Sequence, residues 1–337
     1  MRKQTALIIL LSAFLLSACA ARGEAVPKTE AKSTPSGAEA VRWPKDKLTL
    51  NSDGVPQLRV YVVEDEQIEN LDMETYVQGV LAGEMKNDWP MEALKAQAIL
   101  ARTFVLKFVD EKESRYEGAD ISTDIEEAQA YDASAINVRI RQAVNDTRGL
   151  VLSSDGALPY AWFHAHSGGM TELARPGLGW EKEEPAYTQT VQSAEPETVS
   201  DPADARTLKD AQKWSASFPY EEFEAACTSL GVEASIGAKT KVSIAERGES
   251  GRASVIDVSG HPVGAAELRI ALGSTKMRST LLTSLKNADG AICMEGLGYG
   301  HGVGMSQWGA YGMAQSGSTA EEIVKHYFRN ITVEKLW

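Results

Sequence analysis

The chain has 337 residues, 43% of them hydrophobic and 24% charged, an ordinary composition with ample material for a core. A formal net charge of −13 argues against nucleic acid as a partner, because phosphate binding takes clustered Lys and Arg and no basic stripe interrupts the acidic balance. Length alone admits one large domain or two smaller ones.

The first twenty residues, MRKQTALIILLSAFLLSACA, have a basic start (Arg2, Lys3), an apolar run from Ala6 to Leu16 and a small-residue exit. This is the pattern of a secretory signal, too short for a comfortable membrane span. Its end, Leu16-Ser17-Ala18-Cys19, resembles a bacterial lipobox, which makes residues 1–18 a lipoprotein signal peptide and Cys19 the expected lipidation site. An ordinary signal peptide with an incidental cysteine is the alternative. Cleavage removes two basic residues and no acid, so the mature chain is more acidic still, and the lipid rather than charge must hold it to anionic membrane. The expected location is the outer face of the cytoplasmic membrane, the periplasm or an intermembrane space. Residues 20–45 are rich in Ala, Glu, Lys, Pro, Ser and Gly and read as a tether. The division expected is thus 19–50 for lipidated Cys19 and tether, and 51–337 for one folded domain.

QLRVYVVED (57–65) alternates apolar and polar residues and predicts a strand. Asp72 is a plausible N-cap for a helix whose apolar face carries Val77, Val80 and Leu81. A second helix starts near Pro90 and aligns Met91, Leu94, Ala98, Val105 and Phe108. Residues 149–169 read as a hairpin turning at Asp155-Gly156, followed by an irregular stretch to about 205. A helix over 219–229, strands over 240–246 and 253–258, and a short helix over 264–272 come next. Met305–Ser316 reads as a helix ending at Gly317, and Ser318-Thr319-Ala320-Glu321 offers a capping box for the last helix. No fixed-period repeat is visible. The fold class expected is α+β, with mixed helices and antiparallel strands in a single domain.

Several residues break these patterns in ways that point to chemistry. Glu84 continues the apolar face of its helix, seven after Val77 and three after Leu81. A carboxylate there is costly to ionise, and its pKa rises unless a cation pairs with it, which is how a general acid stays protonated at neutral pH. The alternative is a frayed end with Glu84 in solvent beside Lys86. Arg102 lies inside the apolar stripe of the second helix, and an inward arginine takes an anion: a carboxylate of the protein, Glu84 included, or a ligand. FHAHSGGMTELA (163–174) concentrates His164, His166 and Ser167. G-x-S-x-G is absent, which weighs against a serine nucleophile, and zinc would need at least one further ligand. Gly298, Gly300, Gly302 and Gly304 surround His301 without matching a phosphate loop or the dinucleotide fingerprint. That loop and the helix after it would offer backbone N–H groups, His301, Ser306 and Gln307 to a polar ligand such as an acetamido sugar; the alternative is a tight turn around a core histidine. Cys227 and Cys293 are far apart in sequence and do not by themselves establish a bridge.

Four blocks occur in order: YVQGVLAGEMKNDWPMEALKAQAILARTF (76–104), WFHAHSGGMTE (162–172), ESGRASVIDVSG with AAELRIALG (249–273), and GLGYGHGVGMSQWGAYGMAQSG with EEIVKHYF (296–328). Together they closely resemble the stage II sporulation protein D family, whose other branch is the LytB amidase enhancers, over roughly residues 55–335. The resemblance implies a peptidoglycan lytic transglycosylase that cuts the MurNAc–GlcNAc β-1,4 bond without water and leaves a 1,6-anhydro-MurNAc end. It implies peptide-stripped glycan strands as substrate, a partner amidase, and no cofactor. The family's catalytic acid falls on Glu84, its basic residue on Arg102, and its tyrosine after the S-G-G block on Tyr187, the last two as substrate contacts. Some members bind zinc through cysteine near that block; Ala165 and Ser167 offer no thiol, so no metal is expected. A lipobox in place of an uncleaved anchor leaves a sporulation role and vegetative wall remodelling both open. The competing reading is a non-catalytic wall-binding activator of an N-acetylmuramoyl-L-alanine amidase.

Overall fold

The period-two pattern around Leu58 and Val60 produces the strand it predicts, with both side chains fully buried. In the computed structural model, which describes residues 41–337, this strand is β2 (Pro56–Val62), flanked antiparallel by β1 (Thr49–Leu50) and β3 (Gln67–Asp72). The expected signal peptide, Cys19 and the expected tether as far as residue 40 lie outside the described residues. The tether's expected end at 50 needs correction. Val41 and Trp43 pack on the core, Trp43 lies 5.9 Å from the Trp337 ring, and Lys47 Nζ donates to Val109 O at 3.0 Å. Apolar residues scattered through a polar run were enough to dock it.

Asp72 ends β3 and caps α1 (Met73–Glu84), accepting from Thr75 N at 3.0 Å. α2 (Met91–Glu111) follows from Pro90 and buries Leu94, Ala98, Val105 and Phe108. After β4 (Ile121–Ser122), which joins β2 in parallel, α3 (Val138–Asp146) starts at the Asn137 cap. β5 (Leu150–Ser153) runs into the Asp155-Gly156 turn, where φ is +49° and +73°. The hairpin expected there does not continue beyond the Ser154–Ala157 bridge. Pro159 has no N–H to extend the ladder, and the chain proceeds instead to β6 (Phe163–His164). The irregular stretch contains α4 (Ala174–Leu178) and ends in α5 (Pro202–Gln212), capped by Asp201 with proline in its first turn.

A second body of structure is then built from contiguous sequence. It comprises β7 (Lys213–Pro219), α6 (Tyr220–Ser229), β8 (Val242–Arg247), β9 (Ala253–Val258), β10 (His261–Gly264), α7 (Ala265–Ala271), β11 (Leu282–Ala288) and β12 (Ala291–Leu297). Its sheets are β11-β12-β7 and β10-β9-β8, all antiparallel. Its core, from Trp214 through Phe218, Phe223, Ile256 and Leu268 to Met294, is separate from the main core formed by residues on either side in sequence. One domain was expected; the buried apolar residues instead form two main clusters. Cys227 and Cys293, both here, are free thiols.

The chain returns to the main core through the glycine run, β13 (Met305–Ser306), α8 (Gln307–Gln315), α9 (Ala320–Tyr327) and β14 (Thr332–Lys335). β13 pairs parallel with β6, and β14 pairs antiparallel with β5. Met305 is therefore strand rather than helix. The last helix has its capping box one residue later than expected, between Thr319 and Glu322. The α+β class holds. Among the described residues no helix is long and apolar enough to cross a membrane.

Candidate active site

Gly79 and Gly83, one turn apart on α1, let the chain at 130–132 lie against the helix; a Cβ on either would run into Tyr131 or the Ala130 backbone. That close approach brings the Ala130 N–H to Glu84 Oε1, to which it donates at 2.7 Å. From the other side Gln307, first residue of α8, donates through Nε2 to Glu84 Oε2 at 3.4 Å and to the Glu84 carbonyl at 3.3 Å. Glu84 is only 5% exposed, and among the described residues no cation is its hydrogen-bond or ion-pair partner. Burial pushes its carboxyl up to about 8, against the opposing pull of the Ala130 and Gln307 donors. Trp89, Trp308 and Tyr311 form an aromatic cluster beside Gln307, with ring centroids 4.5–5.3 Å apart. Asp204 accepts from Trp89 Nε1 at 3.3 Å and is paired with Lys86.

The glycine run wraps a second polar cluster. His166 and Tyr299 exchange backbone hydrogen bonds of 3.0 and 2.8 Å, joining the S-G-G loop to the glycine-histidine loop. Gly304 has φ +70°, and a Cβ there would collide with the Trp162 carbonyl, so glycine is required. Glu195 plugs the junction. Its carboxylate accepts from Ser167 N, from Gly169 N at 2.9 Å and from Ser306 Oγ at 2.6 Å, while His166 Nδ1 lies 3.2 Å away. From the second body, Arg252 reaches in fully buried and donates to Met170 O (2.9 Å) and Ser167 O. Buried Glu172 accepts from Ser250 N and Oγ at 3.1 and 2.6 Å. These contacts seat the second body on the loops of the main one.

The residues singled out in sequence therefore fall into separate places. Gln307 meets Glu84. Ser306 adjoins it, but its hydroxyl caps α8 at Gly309 N and donates to Glu195. His301 faces inward, accepting from Val303 N at 3.0 Å and lying edge-on to His164. Burial holds it neutral, its pKa down to about 3, with Arg269 and Arg252 adding repulsion. Arg102 does not face Glu84. Fully buried, it pairs with Glu74 at 2.6 and 3.2 Å and donates to Leu150 O at 2.9 Å. Tyr187 sits in a small aromatic cluster with Trp162, its hydroxyl accepting from Tyr160 N at 2.9 Å. Sequence reasoning missed Ala130, whose contribution is a backbone N–H, and Glu195, which lies in an irregular stretch without periodicity. Among the described residues no group of three or more His, Cys, Asp and Glu side chains is arranged to hold a metal ion.

Residues 63–153 match the family model described as stage II sporulation protein, and residues 199–304 match one described as a domain of unknown function (DUF8618). Stage II sporulation protein D of Bacillus amyloliquefaciens is 30% identical over 329 residues, 94% of this chain and 89% of that one. An uncharacterized protein of Brachyspira hyodysenteriae is 30% identical over 277 residues, 79% of this chain and 67% of its own. The amidase enhancer of Bacillus subtilis is 27% identical over 292 residues, which is 76% of this chain and 40% of that protein. The chain belongs to the stage II sporulation protein D family.

Proposed function

We propose that the protein is an extracytoplasmic, lipid-anchored lytic transglycosylase acting on peptidoglycan glycan strands, with Glu84 as its single acid–base group. The observation that carries this reading is a carboxyl group buried at the end of α1, 5% exposed and held protonated near neutral pH, as general-acid chemistry requires. A glycoside hydrolase uses two carboxyl groups, one for the leaving oxygen and one for water or the sugar. Asp204, reached through Lys86 and Trp89, is committed to those two residues. One group suffices when the nucleophile is the sugar's own C6 hydroxyl. Glu84 gives its proton to the glycosidic oxygen as the C1–O4 bond breaks. The C6 oxygen then bonds to C1, and its proton passes to the Glu84 carboxylate, closing the 1,6-anhydro ring and restoring the acid. Between these steps the Ala130 N–H and Gln307 amide stabilise the carboxylate. Tyr311, partly exposed beside Trp89 and Trp308, offers a face on which a sugar ring can stack.

Glu84→Gln keeps shape and removes the acid. Purified wild type is expected to release peptide-free sugars with 1,6-anhydro-MurNAc ends from peptide-stripped glycan, and the variant none; mass analysis separates anhydro from reducing ends by one water. Release by Glu84→Gln at the wild-type rate refutes the assignment. The name of the Bacillus subtilis relative supports a second reading, a wall-binding activator of an amidase. Wild-type protein that releases no anhydro sugar but accelerates an amidase on intact wall establishes that reading instead.

A further inference from the structure

Glu195 stands outside the chemistry just described, yet it is the group at which the two loop motifs meet. Its side chain is 4% exposed. The S-G-G loop grips one side of the carboxylate through the N–H groups of Ser167 and Gly169, and Ser306 donates its only hydroxyl proton to Oε1 at 2.6 Å. A hydroxyl has one hydrogen and two lone pairs. With that hydrogen committed to Glu195, Ser306 Oγ can only accept, and it accepts from Gly309 N at 3.2 Å, the N-cap bond that starts α8. Gln307 is the next residue, and its amide is the side-chain donor that reaches Glu84. The line from Glu195 to Ser306 to the first turn of α8 to Glu84 consists of direct contacts.

We propose that Glu195 is a positioning residue for the Glu84 carboxyl: by fixing the Ser306 hydroxyl it sets the start of α8 and holds the Gln307 amide against Glu84. It touches no reacting atom. The inference deepens the transglycosylase reading and rests on it for the kinetic arm of its test, whereas the titration arm does not.

The titration arm follows the Glu84 carboxyl by ¹³C NMR in full-length protein, comparing wild type, Glu195→Ala, Gln307→Ala and the double variant; alanine is used because a glutamine oxygen at 195 would still accept the Ser306 hydroxyl. Losing a donor to the ionised form raises a carboxyl's pKa. Gln307→Ala is expected to move the Glu84 midpoint up by roughly half to one pH unit, the worth of one hydrogen bond. Glu195→Ala is expected to move it in the same direction, and the double variant no further than Gln307→Ala alone, because both act through one contact. In the kinetic arm, the alkaline limb of kcat moves up with the same midpoint. A Glu195→Ala protein with an unmoved Glu84 midpoint overturns the proposal whatever its activity, and so does an additive double variant. Should Glu195→Ala fail to fold, Ser306→Ala, which removes the linking hydroxyl, decides alone: a raised midpoint supports the link and an unmoved one refutes it. If no variant turns over glycan and neither does wild type, the transglycosylase reading fails while the titration still tests Glu195.

Discussion

Arg102 is the residue for which sequence resemblance and structure diverge most, and one substitution separates them. A substrate contact would leave stability largely intact when removed. In the structure Arg102 is fully buried and holds Glu74, whose carboxylate also accepts from Gly149 N at 3.1 Å and Trp337 Nε1 at 2.9 Å. The pair thus ties α1 and α2 to the turn before β5 and to the chain terminus. Arg102→Met keeps the length of the side chain and leaves Glu74 without its cation. Breaking a buried pair from one side costs about 3–5 kcal/mol, a large part of a typical stability of about 5–15 kcal/mol. At roughly 2–4 °C per kcal/mol for a chain of this size, a fall in Tm of about 10 °C is expected. Arg102→Met/Glu74→Leu should recover much of it, since no uncompensated charge then remains. Thermal unfolding followed by circular dichroism at pH 7 measures both. An Arg102→Met protein with wild-type Tm that no longer acts on glycan would refute this reasoning and return Arg102 to the substrate.

The Glu84 carboxyl makes a stability prediction with a defined sign. Its folded pKa of about 8 lies above the ordinary 4.5, so the folded state binds the extra proton between those values, and stability falls as pH rises from about 4.5 to about 8. Glu84→Gln abolishes that fall and should exceed wild type in Tm at pH 8, by a few kcal/mol in stability, while matching it near pH 4.5; identical pH profiles would exclude the buried acid. On the proposed transglycosylase reading, the same group is expected to give kcat an alkaline limb near pH 8, checked by rates of anhydro-sugar release. Gly304→Ala combines a φ of +70° with a Cβ driven into the Trp162 carbonyl and should cost about 2–4 kcal/mol, seen as a drop in Tm of several degrees. Thr319→Ala removes the N-cap that accepts from Glu322 N and should cost about 1 kcal/mol by urea titration, with activity unchanged.

What could be read from sequence was what periodicity and caps determine locally. α1 and α2 begin at the residues expected, and the in-face position of Glu84 does correspond to burial. β8, β9, α6 and α7 were also legible, because each pairs a periodic run with a clear start or stop. The rest depended on partners distant in sequence. β13 looks helical on its own and becomes strand because it pairs with β6, about 140 residues earlier. α5 is polar on most of its surface, and its Asp201-Pro202 start was passed over inside an irregular stretch. The separate core of the second body leaves no mark in composition, since its residues resemble those around it. Within the site, an inward arginine was correctly read as needing an anion, but spacing could not say that the anion is Glu74. Ala130 acts through its backbone, which no side-chain pattern reports.

The second body enters and leaves through one doorway: Lys213 pairs with Leu297 across β7 and β12, and Gly298 N donates to Gln212 O at 2.9 Å. This has a consequence for the order in which the molecule is made. The ribosome finishes α1, α2 and the entire inserted body before it reaches α8. Glu84 therefore spends most of synthesis without Gln307, and the main core without Tyr299, Trp308 or Tyr327. The segment from Tyr299 to Tyr327 completes both at once. Until α8 is made, Glu84 lacks the Gln307 donor, so the finished site arrives only with that helix.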